Sequence, residues 1–147
     1  MSGVISAPGT RAYADIRVGQ VLPEVAIPLT RTLIVATALA TRDFQDVHHD
    51  PDLARERGSK DVFMNILTTN GLVGRFVTDW AGDHTTLRRI VIRLGAPNYA
   101  GDTMTLAGTV THKEDGLVVV DVRGTNSLGA HATGTVTVAF PGEEGNA

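Results

Sequence analysis

The fold is decided by the segment Asp61–Trp80, whose sequence is DVFMNILTTNGLVGRFVTDW. Its apolar residues are spaced as in a helix, but they spread over more than one face: Val62, Phe63, Ile66, Leu67, Val73, Phe76, Val77 and Trp80. A helix that is apolar over a wide arc is surrounded by other elements of the protein. The segment therefore predicts one long buried helix, and the alternative is an amphipathic surface helix.

After Gly82 the apolar period changes to two, which is the period of a β-strand with one buried face. The pattern predicts four antiparallel strands in succession, at Leu87–Gly95, Thr103–His112, Leu117–Thr125 and His131–Phe140. Val21–Ile27 adds an early strand before Pro28. A long buried helix followed by an antiparallel meander predicts an α+β protein with a single hot-dog fold, a curved sheet wrapped around one helix. Another α+β sandwich or a partly open barrel would also fit this pattern.

The length of 147 residues fits one domain. Residues 1–12 are predicted to form a flexible arm, 13–140 the domain, and 141–147 a short acidic tail. Hydrophobic residues make up 42% of the chain and charged residues 20%, a composition typical of globular proteins. The sequence contains neither an internal repeat nor a linker long enough to separate two domains.

Charge and cysteine content exclude several classes of function. The formal net charge of −3 argues against nucleic acid as the main partner, because phosphate binding needs a clustered positive field. Without cysteine there is no disulfide, no thiolate metal site and no cysteine nucleophile. No signal peptide and no apolar run of about 20 residues is visible, so neither secretion nor a membrane span is predicted. A cytoplasmic protein is the expectation.

The chemically informative stretch is 40–51, ATRDFQDVHHDP, whose acids and histidines come directly after the helix predicted at Thr32–Arg42. Asp43 and His48 are five positions apart, so on one continuous helix their side chains would point about 140° apart. They can converge only if the helix ends near Asp43, and the apolar pattern stops there. Asp50 is followed by Pro51, which predicts an N-cap and the first residue of a new short helix.

An imidazole beside a carboxylate is suited to general acid–base chemistry near neutral pH, because the two groups can share and activate one water. The alternative interpretation is that the acids cap helix ends and the histidines lie on the surface. N-capping explains Asp50 without a further role. His49 would point away from its neighbour His48, and we assign it a structural role.

Asp43-Phe44-Gln45-Asp46-Val47-His48, followed six residues later by Ala54, resembles the hydratase motif of MaoC-like (R)-specific enoyl-CoA hydratases. That motif runs Asp-x-Asn-Pro-aliphatic-His and ends with a small residue. The similarity extends to Tyr13–Gly19, to the long helix and to Pro97–Thr103. It implies a hot-dog enzyme that adds water to an enoyl thioester, with Asp43 and His48 as catalytic residues and with no metal or organic cofactor. CoA belongs to the substrate.

The departures from the motif concern the loop and the helix start. Gln45-Asp46 replaces Asn-Pro, and Arg42 replaces the glycine that often precedes the aspartate. Met64-Asn65 stands where the family has His-Gly, whose glycine N–H usually holds the thioester oxygen. The resemblance therefore implies Asn65 as a backbone oxyanion donor, and Gln45 and Met64 as substrate-binding residues of an altered pocket.

A narrower likeness lies in three runs of sequence: Ala38–Asp50, Gly58–Asp61 and Val77–Gly82. They resemble the small MaoC-like subunit of the actinobacterial steroid side-chain hydratase, which acts in cholesterol degradation. The resemblance implies a steroid side-chain enoyl-CoA as substrate. It also implies a hetero-oligomer with a larger subunit that carries a second MaoC-like domain and a DUF35-type domain. A thiolase-like aldolase is a further partner that this hetero-oligomer could bind.

Three other functions remain open at this stage. The chain could be a non-catalytic hot-dog partner, although retention of both Asp43 and His48 argues against this. It could be a homodimeric hydratase or dehydratase of simple acyl-CoAs, which dependence on a partner would distinguish. It could also be a thioesterase, which release of a free thiol would reveal.

Overall fold

The computed structural model describes residues 11–143. Five strands and three α-helices follow one another in the order β1 (Val21–Pro28), α1 (Arg31–Ala40), α2 (Pro51–Glu56), α3 (Ile66–Ala81), β2 (Thr86–Leu94), β3 (Thr103–Glu114), β4 (Leu117–Asn126) and β5 (Gly129–Ala139). Short 3-10 turns lie at Tyr13–Asp15 and Asp46–His48. Every strand predicted from the alternation is present, with ends that differ by a few residues.

The five strands form one antiparallel sheet in the order β1-β3-β4-β5-β2. The four strands follow one another along the chain as predicted, but only β3, β4 and β5 make a meander. The expectation that β2 belongs to the meander is wrong, because β2 lies at the far edge beside β5. Gly134 permits this pairing, because a Cβ on that residue would collide with the carbonyl oxygen of Val91. Strand order depends on such contacts between residues far apart in the sequence, and the local period of two does not encode them.

Helix α3 packs on one face of the sheet, against β2, β3 and β5. Val73, Phe76, Val77 and Trp80 are buried there, and facing strand residues such as Leu106 complete the core. Each such apolar side chain stabilises the fold by roughly 2 kcal/mol on burial. A five-stranded antiparallel sheet around one long helix is the hot-dog fold, as predicted, and the sandwich and barrel alternatives are excluded.

The helix is shorter at its start than the sequence predicts. Asn65 is its N-cap, with φ −78° and ψ 161°, and its side chain accepts the Thr68 N–H. Val62, Phe63 and Met64 are extended instead, and Phe63 forms a β-bridge with Tyr99. Three consecutive apolar residues fit a buried strand as well as a buried helix, so the periodicity could not distinguish the two.

The ends of the chain and its membrane properties complete the description. Most of the predicted arm at 1–12 and of the tail at 141–147 lies outside the described residues. Of the arm, Arg11 is described, and its guanidinium donates to the Trp80 carbonyl at 2.8 Å in the last turn of α3. Within residues 11–143, no helix combines the length and the apolar content that crossing a bilayer requires.

Candidate active site

Asp43 owes its position to the way α1 ends. The Arg42 N–H donates to Leu39 and the Asp43 N–H to Ala38, at 3.1 Å and 2.9 Å, the two bonds of a Schellman motif. This motif needs a left-handed residue, and Arg42 supplies it with φ 57°. Glycine is usual at such a position because it has no Cβ. The helix therefore ends at Ala40, close to the break in the apolar pattern at Asp43 that predicted its end.

His48 is the last residue of the 3-10 turn at Asp46–His48, and it is 6% exposed. Its Nδ1 lies 2.7 Å from the carbonyl oxygen of Phe63. A carbonyl only accepts hydrogen bonds, so Nδ1 carries the proton and donates. The Phe63 ring packs edge-on against the imidazole, with centroids 4.9 Å apart. The ring orientation and the tautomer of His48 are therefore both fixed by Phe63.

The two predicted catalytic side chains converge. Nε2 of His48 lies 3.4 Å from Oδ2 of Asp43, whose side chain is 20% exposed. With the proton of a neutral imidazole on Nδ1, Nε2 has a lone pair free, and a carboxylate oxygen is also an acceptor. Two acceptors at this separation can together take both hydrogens of one water, or share one proton between them. The arrangement is suited to moving a proton to and from water.

The loop between these residues is held by an ion pair at Asp46, where the hydratase motif has proline. Arg57 contacts both carboxylate oxygens of Asp46, at 2.8 Å each. The guanidinium hydrogen bond holds the pKa of Asp46 below its usual value. Just beyond, Asp50 caps α2 by accepting the N–H groups of Asp52 and Leu53, as predicted. The loop is thus anchored at both ends of the short helix.

Asn65 lies beside the pair, at the N-terminus of the sixteen-residue helix α3. It is 3% exposed. Its Nδ2 donates to Oδ2 of Asp43 at 3.1 Å and to Oγ1 of Thr41 at 2.9 Å. Among residues 11–143, its backbone N–H has no hydrogen-bond acceptor. A helix N-terminus carries positive partial charge, which favours an oxygen anion nearby.

The other two predicted site residues are not brought into this group. The Gln45 side chain is exposed, and only its backbone N–H reaches Asp43, at 3.4 Å. Met64 is 3% exposed and lies in the core, where its sulfur accepts a long contact of 3.7 Å from the Asn98 amide. A role in substrate binding stays a prediction for both, and the burial of Met64 argues against direct contact.

Sequence reasoning missed the segment that orients His48. The Phe63 N–H donates to Val47 at 3.2 Å, and the Met64 N–H donates to Asn98 at 3.0 Å, so the segment lies between the active-site loop and the loop before β3. These are backbone contacts, which no side-chain motif records. The role of the Asn65 side chain was also missed, although an Asn before a helical run is a common N-cap signal that could have marked it.

Comparison with known proteins establishes the class. The profile of the MaoC-like domain family matches residues 16–131, a range that contains both Asp43 and His48. The chain therefore belongs to the MaoC-like family.

A particular relative is more informative than the family. The chain is 57% identical over 123 residues to the 3-oxo-4,17-pregnadiene-20-carboxyl-CoA hydratase beta subunit of Mycobacterium tuberculosis, covering 84% of this chain and 95% of that protein. It also matches the crystal structure of the ChsH1-ChsH2 complex from M. tuberculosis, with a TM-score of 0.83, 56% identity, and coverage of 84% of this chain and 98% of that one.

A more distant structure supports the fold alone. The (R)-hydratase from A. caviae has a TM-score of 0.76 at 20% identity, covering 86% of this chain and 98% of that one. The named relative and the family match confirm the predicted resemblance and the prediction that this chain is an enzyme of the hydratase class.

Proposed function

We propose that this chain is the catalytic small subunit of an enoyl-CoA hydratase, and that it adds water across the 2,3-double bond of a steroid side-chain enoyl-CoA. The observation that carries the proposal is the Asp43–His48 pair, with Oδ2 and Nε2 3.4 Å apart. The steroid substrate rests on the 57% identity to a subunit named for hydration of a pregnadiene carboxyl-CoA.

In the proposed mechanism, the pair binds one water through its two acceptor atoms. Nε2 of His48 and the Asp43 carboxylate accept the two water hydrogens, which turns a water lone pair towards the β-carbon. Attack there forms the carbon–oxygen bond while the pair takes up a proton from the water. A proton then passes from the pair to the α-carbon, which completes the addition and returns both side chains to their starting state.

The charge that develops during this reaction lies on the thioester oxygen. We propose that the backbone N–H of Asn65 donates to it, assisted by the positive end of α3. The proposal is supported by the N–H having no acceptor within residues 11–143. It needs no particular side chain, so it is compatible with Asn65 standing where the family has glycine. Acid–base residues, water and backbone donors suffice for the chemistry, so we expect neither a metal nor an organic cofactor.

We further propose that the enzyme works as a hetero-oligomer with a larger MaoC-like subunit that carries a DUF35-type domain. Strand β2 is an edge of the sheet and exposes Leu87, Val91 and Leu94. An exposed apolar edge strand is a pairing surface that proteins usually cover. The match to a two-subunit complex supports the proposal that a partner subunit covers β2. Docking of a thiolase-like aldolase and a cytoplasmic location stay predictions.

The test measures hydration of 3-oxo-4,17-pregnadiene-20-carboxyl-CoA by the chain alone and by the chain with the larger subunit. The reaction is monitored through the loss of the enoyl-thioester absorbance. We expect activity only in the assembly, and its loss on Asp43→Asn in this chain. Full activity of the assembled Asp43→Asn variant would mean that this chain is a scaffold.

The same assay separates the remaining functions. Equal activity of the chain alone, with a preference for linear enoyl-CoAs, would indicate a homodimeric hydratase. Release of free thiol, measured with a thiol reagent, would indicate a thioesterase. Either result would overturn the proposal.

A further inference from the structure

The side chain of Asn65 makes every hydrogen bond that an amide can make. Its two Nδ2 hydrogens go to Thr41 Oγ1 and Asp43 Oδ2, at 2.9 Å and 3.1 Å. Its Oδ1 accepts from the N–H and the hydroxyl of Thr68. An amide has two donors and two acceptor positions, so none is left over. The group is 3% exposed, and water therefore cannot replace these partners easily.

These partners also fix which end of the amide faces Asp43. The Thr68 N–H can only donate, so the oxygen must face helix α3. A carboxylate can only accept, so the nitrogen must face Asp43. Rotating the amide by half a turn would oppose oxygen to carboxylate and N–H to N–H. The helix cap and the contact with the acid are therefore made by one rigid group.

The oxygen that Asn65 holds is the one that matters for the pair, because Oδ2 of Asp43 also faces Nε2 of His48 at 3.4 Å. Among residues 11–143, the other oxygen, Oδ1, has only a contact of 3.4 Å from the Gln45 N–H. Thr41 adds a second brace, since its hydroxyl donates to the Thr37 carbonyl at 2.8 Å while it accepts from Asn65. The end of α1 and the start of α3 are thereby joined at the acid.

We propose that the side-chain amide of Asn65 is a positioning residue for Asp43, distinct from the oxyanion role of the Asn65 backbone N–H. It holds Oδ2 at the distance from His48 at which one water can bridge the two. This inference rests on the proposed function of the Asp43–His48 pair. It assigns to the Asn65 side chain the task of orienting Asp43, which the exposed Gln45 amide does not perform.

Two substitutions separate this task from capping. Asn65→Ser keeps the backbone N–H and a good N-cap hydroxyl, but it removes the donor to Asp43. Asn65→Asp keeps the shape and the cap, and it places a carboxylate oxygen against Oδ2. Thr30→Ala is the matched control, because it removes the N-cap of α1 without contacting the site.

The experiment measures kcat and KM for 3-oxo-4,17-pregnadiene-20-carboxyl-CoA with the assembled enzyme, together with thermal unfolding. Asn65→Ser is expected to lower kcat by roughly 10- to 100-fold, as for loss of a hydrogen bond to a charged group. KM should stay within about threefold, because the contact orients the reacting groups rather than binding substrate. Asn65→Asp should lose at least as much, and Thr30→Ala should leave kcat unchanged.

A double-mutant cycle with Asp43→Asn decides the route by which Asn65 acts. If the amide acts through the Asp43 carboxylate, Asn65→Ser in the Asp43→Asn background lowers kcat no further. A loss that persists in full in that background would overturn the inference and assign the effect to the backbone. If Asn65→Ser keeps the wild-type kcat while Asp43→Asn is inactive, the inference about Asn65 is overturned and the proposed function stands. Full activity of Asp43→Asn would instead overturn the proposed function. If Asn65→Ser does not fold, the same comparison is made with Asn65→Asp.

Discussion

Two histidines are buried, and their surroundings differ at one nitrogen of the ring. His48 and His131 are 6% and 2% exposed, and each donates from Nδ1 to a backbone carbonyl at 2.7 Å. Nε2 of His131 meets the Thr69 hydroxyl at 2.9 Å, a complete hydrogen bond. Nε2 of His48 instead faces a second acceptor, Asp43. Burial and a donating Nδ1 are thus common to both histidines, and they differ in that only Nε2 of His48 lies beside a carboxylate, as the proposed proton transfer requires.

The largest expected effect is the loss of activity in His48→Gln. Gln keeps an N–H for the Phe63 carbonyl but cannot exchange a proton with water, so kcat should fall by about 10²- to 10⁴-fold. Steady-state hydration assays of the assembled enzyme measure this. The free energy of unfolding, from urea titration, should change by less than about 1.5 kcal/mol, because the volume is nearly kept. A fully active variant would mean that His48, like His131, has only a structural role.

The reciprocal change, His131→Ala, should act on stability. It leaves a cavity and removes the partners of Thr69 and of the Ala96 carbonyl, so we expect a loss of about 3 kcal/mol in urea unfolding. Thr69→Val removes the bond to Nε2 together with the longer contact, 3.4 Å, of the same hydroxyl with the Asn65 carbonyl, and it should cost about 1–2 kcal/mol. A His131→Ala variant that unfolds like the wild type would contradict the structural role.

The pH dependence of stability should also report on His131. Burial lowers its pKa from the ordinary 6.5, partly opposed by the hydrogen bond to Ala96. Between the two values the unfolded chain binds the proton and the folded chain does not, so the contribution is complete above about pH 6.5 and is lost as pH falls below it. Urea unfolding across this range should show a slope that is smaller in His131→Gln. Equal slopes would mean that His131 does not titrate differently on folding.

The smallest expected effect concerns Arg42, which directly precedes Asp43 and has a left-handed backbone conformation. Arg42 has φ 57°, so Arg42→Gly should raise the free energy of unfolding by about 0.5–1 kcal/mol. Asp115→Gly is the matched control, at φ 49° in the β3–β4 turn. Asp tolerates this region better than Arg, so its gain should be smaller. A larger gain at Asp115 would show that Arg42 makes compensating contacts.

The sequence predicted those features that are encoded locally. The break in the apolar pattern at Asp43 correctly indicated that the helix ends there and that Asp43 and His48 could meet. The extended segment Val62–Met64 and the edge position of β2 could not be predicted, because each depends on partners far away in the chain. The same holds for the Asn65 amide, whose acceptor Asp43 is 22 residues earlier. The catalytic roles themselves stay predictions until variants are measured.

The most direct test of the Asp43–His48 pair is the double variant Asp43→Asn, His48→Gln, compared with each single variant in the assembled hydratase. If the two side chains hold one water together, either substitution disables that water, and the double variant loses no more kcat than the worse single variant. Losses that multiply would mean that the residues act independently. That result would contradict the shared-water mechanism.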